Sequence, residues 1–341
     1  MKEITSITLA CPRCKHTLTV QGIPGEKNQV VCPYCGTKGI FTIPEDQTRQ
    51  QSEELTNILD IQNLQFTYPA AEKNAIDAIS FQIHEGEIFG FLGPNGAGKS
   101  TTQKLIMGLL KGYHGTITVF GKDLQDWGTA YYEKIGVCFE SPNHYQKLTA
   151  YENLDLFSSF YTTKTIDPHT LLGMVGLEAE ANHRVATFSK GMKTKLNFVR
   201  ALLNNPQLLF LDEPTTGLDP VSARQVKDII LMQKKAGKSI FLTTHNMTDA
   251  DELCDRVGFL VDGKLQLVEK PRNLKIRYGK KTVRVEYLKE GQLLREEYSL
   301  ADLGRNPLFL ARLKEESVQT IHTQEASLEN IFIQVTGRQL Q

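Results

Sequence analysis

The stretch that decides the fold is Gly93-Pro94-Asn95-Gly96-Ala97-Gly98-Lys99-Ser100-Thr101. Its outer glycines stand five positions apart and are followed by a lysine and a serine, which is the P-loop pattern. The apolar run 88–92 before it is typical of a buried strand, and apolar residues follow at helical spacing over 101–110. Glycines let main-chain N–H groups point at phosphate oxygens, and the following helix adds its positive end. The alternative is a chance glycine turn before a helix, which would account for neither the full pattern nor its flanks.

The residue types in this loop predict how a triphosphate and Mg²⁺ are held. Lys99 would reach the outer phosphates, and the hydroxyl of Ser100 would hold Mg²⁺. We therefore expect the nucleotide to be bound by the loop residues Gly93, Asn95, Gly96, Ala97, Gly98, Lys99, Ser100 and Thr101.

A second apolar run, 208–211, ends in the two carboxylates Asp212 and Glu213. Adjacent residues of a strand point to opposite faces, so the two carboxylates need not share a role. Asp212 suits the Mg²⁺ shell, and Glu213 suits the attacking water as its base or orienting group. A strand-end acidic turn without a chemical role is the alternative.

Ser189, in Ser189-Lys190-Gly191-Met192, stands 23 positions before Asp212 and can cap the helix predicted after it. Together with the two motifs above, this segment makes 57–274 resemble the nucleotide-binding domain of an ATP-binding cassette (ABC) transporter. Its lysine and methionine depart from the family's common Ser-Gly-Gly-Gln, in a form that occurs in the export-type branch. The resemblance implies that Ser189 and Gly191 face the γ-phosphate held by a second protomer. A plainly capped amphipathic helix is the alternative.

Four further positions resemble parts of the family's nucleotide site. Asp219, in Gly217-Leu218-Asp219-Pro220, matches the D-loop, and His245 matches the histidine that contacts the γ-phosphate. Tyr68 resembles the aromatic residue that stacks on adenine. Glu140 stands where the family usually has a glutamine, and it could bind Mg²⁺ through an oxygen while adding a negative charge. The alternatives are that Asp219 is only a helix cap, that His245 is structural and that Tyr68 is an exposed tyrosine without such a role.

The N-terminal residues contain two Cys-x-x-Cys pairs, Cys11 with Cys14 and Cys32 with Cys35, with 17 residues between the pairs. This spacing predicts a four-thiolate zinc ribbon, and rubredoxin-like iron is the main rival. We expect the ribbon to cover 1–43 and to serve protein docking or regulation rather than nucleic-acid recognition. The polar stretch 44–56 is typical of a linker.

The expected architecture is therefore an α/β P-loop NTPase of ABC type over 57–274, with a zinc ribbon before it. The capping box Thr149-Ala150-Tyr151-Glu152 predicts a helix of the family's helical subdomain. Residues 275–341 are expected to form a small α+β extension, with strands near 282–287 and 293–298. For the tail, the plainer reading is a terminal amphipathic helix that packs onto the domain through Leu328, Ile331, Phe332 and Val335.

The resemblance implies an ATPase subunit that powers a separate membrane-spanning transporter subunit. Two cassettes, in a homodimer or heterodimer, would enclose ATP, and hydrolysis would reopen the pair. The tail 326–338 resembles the tails of drug- and polysaccharide-export ATPases, so we expect an exporter. One alternative is a soluble ABC ATPase acting on ribosomes, DNA or iron–sulfur assembly. The other is a regulatory protein whose ribbon binds nucleic acid.

Composition supports attachment to a membrane through a partner rather than direct insertion. No run of eighteen apolar residues occurs, and the first residues lack a signal-peptide pattern. The 39 basic and 39 acidic residues cancel, so there is no general attraction to nucleic acid, which we do not expect as a partner. We expect a cytoplasmic chain at the inner face of the cell membrane.

Overall fold

A computed structural model describes residues 5–15, 17–22, 27–42, 56–69, 71–279, 281–315, 317–323 and 326–338. The chain divides into two compact units, Met1–Thr56 and Asn57–Gln341. Most of the predicted linker, 44–55, lies outside the described residues.

The described residues of the first unit form two antiparallel hairpins. Its strands are β1 Thr5–Ala10, β2 Thr17–Gly22, β3 Lys27–Val31 and β4 Lys38–Thr42. β1 pairs with β2, and β3 pairs with β4. The buried apolar groups described here are Cys11, Leu18, Val20 and Cys32. A core this small rarely stabilises a domain without a disulfide or a metal.

The second unit opens with strands and a helix that alternate in the manner of an α/β domain. In chain order its elements to residue 278 are β5 Asn57–Phe66, β6 Ile76–His84, β7 Ile88–Leu92, α1 Lys99–Ile106, β8 His114–Val119, β9 Lys122–Asp123, β10 Ile135–Cys138, α2 Ala150–Ser158, α3 Pro168–Met174, α4 Lys190–Arg200, β11 Leu208–Asp212, α5 Pro220–Lys235, β12 Ser239–Thr244, α6 Met247–Leu253, β13 Arg256–Val261, β14 Lys264–Glu269 and α7 Pro271–Tyr278.

The central sheet has the order β10-β11-β12-β7-β13-β14, and only β14 runs antiparallel to its neighbour. Every residue of β7, β11 and β12 is buried, as expected for parallel strands covered on both faces. A second sheet, β6-β5-β8-β9, is antiparallel. Phe81 of this sheet stacks on Phe89 and Phe91 of β7, with ring centroids 5.2 and 5.3 Å apart. The other face of the central sheet packs against the helices through a separate apolar cluster.

Two helix predictions have different outcomes. The capping box is present, because the Thr149 hydroxyl accepts from Glu152 N and the Glu152 carboxylate accepts from Thr149 N. The helix after the P-loop, however, ends at Ile106 rather than near residue 110. Gly108 has φ +73° just beyond this end, a conformation that stops a helix, and Leu109 is exposed rather than packed.

After α7, the described residues of the second unit form a small sheet and two further helices. These elements are β15 Thr282–Lys289, β16 Gln292–Ser299, α8 Pro307–Glu315, β17 Ser317–Thr323 and α9 Leu328–Thr336. The strand order is β16-β15-β17, all antiparallel, so the two predicted strands are present and a third joins them. In α9, Leu328, Ile331 and Phe332 are buried in the apolar cluster between the central sheet and the helices, as the plainer reading of the tail requires.

Candidate functional site

The ends of β7, β11 and β12 bring the predicted site residues to one edge of the central sheet. These strands are parallel neighbours, so the residues that follow them in the chain meet at their carboxyl ends. The P-loop follows β7, Glu213 follows β11, and His245 follows β12. One cavity at this edge is lined by Tyr68, Ala75, Asn95, Gly96, Gly98, Lys99, Ser100, Thr101, Glu140, Asp212, Glu213 and His245.

The P-loop has backbone conformations that require glycine. Gly96 and Gly98 have φ of +78° and +109°. A Cβ on Gly93 would lie 2.2 Å from the carbonyl oxygen of Leu260, so the loop can pass there only without a side chain. The Lys99 ammonium donates to the carbonyls of Gly93 (2.6 Å) and Pro94 (3.1 Å), which holds it inside the loop.

The charge of Lys99 is balanced by acidic groups. Burial lowers the pKa of Lys99, while the carboxylates of Glu213, Asp212 and Glu140 act in the opposite direction. A buried ammonium can donate to phosphate oxygens in strong, charge-assisted hydrogen bonds. The loop therefore has the chemistry of a phosphate site.

Asp212 and Ser100 form an oxygen pair of the kind that Mg²⁺ prefers. The Ser100 hydroxyl lies 3.4 Å from Asp212 Oδ2, and Thr243 donates to Asp212 Oδ1. Burial raises the pKa of Asp212, and the Thr243 hydrogen bond opposes that shift. A buried carboxylate beside a hydroxyl and a second acidic side chain, Glu140, fits a hard divalent cation.

Glu213 is held in a fixed orientation by its neighbours. Its Oε1 accepts from the main-chain N–H of His245 (2.8 Å) and lies 2.6 Å from His245 Nδ1. Its Oε2 accepts from the hydroxyls of Thr244 (3.0 Å) and Thr216 (3.2 Å). The residue is buried and has φ +49°, a strained conformation that clusters at functional sites. The hydrogen bonds therefore fix the carboxylate of Glu213 at the wall of the cavity.

Tyr68 and Glu140 border the same cavity. The Tyr68 hydroxyl lies 3.1 Å from Thr101 Oγ1, and its ring packs edge-on against Phe66. Glu140 comes two residues after the end of β10 and is exposed. Ala75 also lines the cavity, and sequence reasoning missed it because a lone alanine carries no signal.

Ser189, Gly191 and Asp219 are not among the residues that line this cavity. The hydroxyl of Ser189 accepts from Met192 N (3.2 Å) and caps the start of α4. Asp219 Oδ1 accepts from Val221 N and Ser222 N, both at 3.0 Å, and so caps the start of α5. The predicted helix caps at Ser189 and Asp219 are thus present.

The four cysteines of the first unit lie together. Their Sγ atoms are all within 4.8 Å of one another, and the Cys11–Cys35 and Cys14–Cys32 pairs are each 3.6 Å apart. The Thr37 hydroxyl and main chain lower the pKa of Cys35 to about 6. A lowered thiol pKa favours the thiolate, which is the form that binds metal.

Comparison with known proteins identifies the family. The "ABC transporter" family profile matches residues 76–216. The "Fluoroquinolones export ATP-binding protein" of Mycobacterium tuberculosis H37Rv is 52% identical over 286 residues, which cover 84% of this chain and 95% of the relative. This chain belongs to the ABC transporter ATP-binding protein family. The "Nod factor export ATP-binding protein I" of Neorhizobium galegae, 34% identical over 84% of this chain and 87% of its own length, is similar too.

Solved structures agree with this ABC assignment. The ATP-binding subunit of an ABC transporter matches with a TM-score of 0.59 and 32% identity, over 65% of this chain and 93% of its own. A dimeric ATP-binding cassette in a post-hydrolysis state with ADP and Pi has a TM-score of 0.57 and 28% identity, over 62% of this chain and 98% of its own. The predictions of fold, family and ATPase activity are confirmed.

Beyond the cassette, the "Fluoroquinolone efflux ABC transporter C-terminal domain" profile matches residues 281–325 of this ABC ATPase. Those residues contain β15, β16, α8 and β17. None of the helices in the described part of the chain is both long and apolar enough to cross a membrane.

Proposed function

We propose that this chain is the ATP-hydrolysing subunit of an export ABC transporter and drives a separate membrane-spanning subunit. The observation that carries the proposal is the Glu213 carboxylate, fixed by threonine and histidine donors, in the cavity that also contains Lys99. The export direction is supported by the named functions of the relatives and by the match over 281–325.

In the proposed mechanism the P-loop amides and Lys99 bind the triphosphate, and Tyr68 packs against the adenine. Ser100, Asp212 and Glu140 would hold Mg²⁺, which supplies charge neutralisation at the phosphates. Glu213 accepts a proton from water as the water oxygen bonds to the γ-phosphorus and the bond from that phosphorus to the ADP oxygen breaks. His245 holds Glu213 through Nδ1 and senses the γ-phosphate with the rest of its ring.

The proposed working form contains two cassettes. Ser189, Gly191 and Asp219 lie outside the chain's own cavity, at two helix starts that could serve a nucleotide held by another cassette. The start of α4 offers main-chain N–H groups and a positive dipole end to a γ-phosphate, whereas at the start of α5 the N–H groups of Val221 and Ser222 already bond Asp219. The dimeric cassette similar to this chain supports this arrangement.

The proposed place of action is the inner face of the cell membrane, through the membrane-spanning subunit. The cassette would extend over 57–274 and the extension over 275–341. Exposed aromatic side chains near the start of the helical subdomain, Phe139, Tyr145 and Phe160, suit contact with that subunit.

We further propose that the four cysteines of the first unit hold one structural zinc ion. Tetrahedral Zn–S bonds of about 2.3 Å place sulfur atoms about 3.8 Å apart. The observed separations of 3.6 Å for two pairs fit that geometry. Iron would use the same thiolates, and elemental analysis of the purified chain distinguishes the two metals.

The test of the proposed function is purification of the tagged chain from membranes in mild detergent. We expect a multi-spanning membrane protein to co-purify and ATPase activity to require the Glu213 carboxylate. The matched control is the Glu213→Gln chain, which should recover the same membrane protein without turnover. Recovery of RNA or DNA in place of a membrane protein would contradict the transport proposal.

A further inference from the structure

The carboxylate of Glu140 makes no hydrogen bond within the described part of the chain, although it lies in the nucleotide cavity. The main chain around it, 139–148, is neither helix nor strand. The position of the carboxylate therefore depends on whatever holds the main chain on either side of it.

Two side chains of α4 hold that main chain. Asn197 Nδ2 donates to the carbonyl of Phe139, the residue directly before Glu140, at 2.6 Å. Arg200 Nη1 donates to the carbonyl of Asn143 at 2.7 Å. The two side chains also support each other, because Arg200 Nη2 donates to the Asn197 side-chain oxygen at 2.7 Å. Glu140 thus lies between two anchored carbonyls.

The Asn197 amide is almost completely buried on α4, next to the buried apolar residues Leu196, Phe198 and Val199. A buried amide is costly unless it is hydrogen-bonded, and an apolar residue would pack at that position without the cost. Arg200 is held further by its guanidinium, which lies 4.5 Å from the centre of the Phe157 ring. The polar pair therefore has a rigid geometry.

We propose that Asn197 and Arg200 are positioning residues for the Mg²⁺ side of the nucleotide site, acting through the main chain that bears Glu140. The proposal rests on the role of Glu140 proposed above. Since Ser189 caps α4, this one helix links Ser189 and Gly191 with the two side chains that anchor the main chain around Glu140. Neither Asn197 nor Arg200 is among the residues that line the nucleotide cavity.

The experiment measures how much Mg²⁺ improves the affinity of the full chain for a non-hydrolysable ATP analogue. Binding is measured with and without Mg²⁺ in metal-depleted buffer without a chelator, because a chelator would also strip the cysteine cluster. In Asn197→Ala the improvement should fall about fivefold, the factor that one net hydrogen bond is worth. Affinity without Mg²⁺ should not change, because Lys99 is untouched.

The matched control is Asn204→Ala. Asn204 is also a buried asparagine, and its amide donates to the carbonyls of Tyr132, Glu133 and Ile135, at the far end of β10. Its loss should destabilise the fold similarly and leave the Mg²⁺ improvement unchanged. If Asn197→Ala does not fold, Asn197→Asp keeps the acceptor for Arg200, removes the donor and should show the same fivefold loss.

A second comparison uses Glu140→Ala chains. The double variant Glu140→Ala, Asn197→Ala should gain as much affinity from Mg²⁺ as Glu140→Ala does, because the carboxylate that Asn197 positions is absent from both. The inference would be overturned if Asn197→Ala left the Mg²⁺ improvement unchanged, or if it still lowered that improvement fivefold in chains without Glu140. Either result would leave the proposed function standing. A native chain that gains no affinity from Mg²⁺ would contradict the proposed function itself and this inference with it.

Discussion

Replacing Glu213 by glutamine distinguishes the structural role of this side chain from its proposed catalytic role. The carboxylate accepts hydrogen bonds from Thr216, from Thr244 and from the main chain and ring of His245. A glutamine can turn its oxygen toward the main chain and ring of His245 and its NH₂ group toward the hydroxyls of Thr216 and Thr244, which can also accept. The bonds to a charged acceptor then become weaker neutral bonds at a cost of about 2 kcal/mol, and removal of a buried charge offsets part of it. The chain should therefore fold.

The chemical effect of Glu213→Gln should be far larger. Losing a general base typically lowers the rate by about 10²–10⁴-fold, whereas ATP affinity should persist because Lys99 and the P-loop are unchanged. Phosphate release at saturating ATP gives the rate, and calorimetric titration gives the affinity. Thr216→Val is the matched control, since it removes one donor, keeps the carboxylate and should stay within about fivefold of the native rate. Turnover by Glu213→Gln at the rate of that control would refute Glu213 as the base.

Three further changes have expected outcomes. Gly93→Ala should lower the free energy of unfolding by about 3 kcal/mol, because its Cβ would lie 2.2 Å from a carbonyl oxygen. The Cβ of Gly96→Ala would meet nothing within 4 Å, so that substitution should cost only about 1 kcal/mol through the positive φ of Gly96. Urea denaturation measures both free energies, and equal costs would contradict the close approach at Gly93. Elemental analysis should find about one zinc per chain, lost in Cys11→Ser and kept in Cys254→Ser; iron in its place would correct the metal assignment. Hydrogen bonds from an arginine and two tyrosines lower the pKa of Glu296 from 4.5 to about 2, so this carboxylate stabilises the fold above pH 4.5 and loses that contribution as the pH falls toward 2. Glu296→Gln should therefore cost about 1 kcal/mol at pH 7, discounted for partial exposure, and nothing near pH 2; a cost independent of pH would contradict the pKa shift.

The parts of the site that lie within one strand and its turn could be predicted from the sequence. The P-loop, the pair Asp212 and Glu213, and His245 each follow an apolar run that reads as a strand. Neighbouring parallel strands bring their carboxyl ends together, so local sequence patterns were sufficient to predict that these residues lie in one site. The caps at Ser189 and Asp219 were also predictable, because a cap depends on residues two or three positions away.

Contacts between distant strands and helices could not be predicted in this way. Thr243 and Thr244 orient the carboxylates from 31 positions away, and the only sequence signal was a Thr-Thr pair before the histidine. The anchoring of the Glu140 segment by Asn197 depends on a contact 58 positions apart. The early end of α1 was missed because the apolar spacing continues past Gly108, while the backbone there turns to positive φ.

The most direct test of the central claim is the affinity for MgATP of the native chain and of Lys99→Ala, measured by calorimetric titration. Because truncating one partner of a buried charge pair costs 2–5 kcal/mol, the affinity should fall by at least about thirtyfold. Lys104→Ala, on the exposed side of the same helix, should bind as the native chain does. Equal affinity of Lys99→Ala and the native chain would contradict the P-loop as the phosphate site.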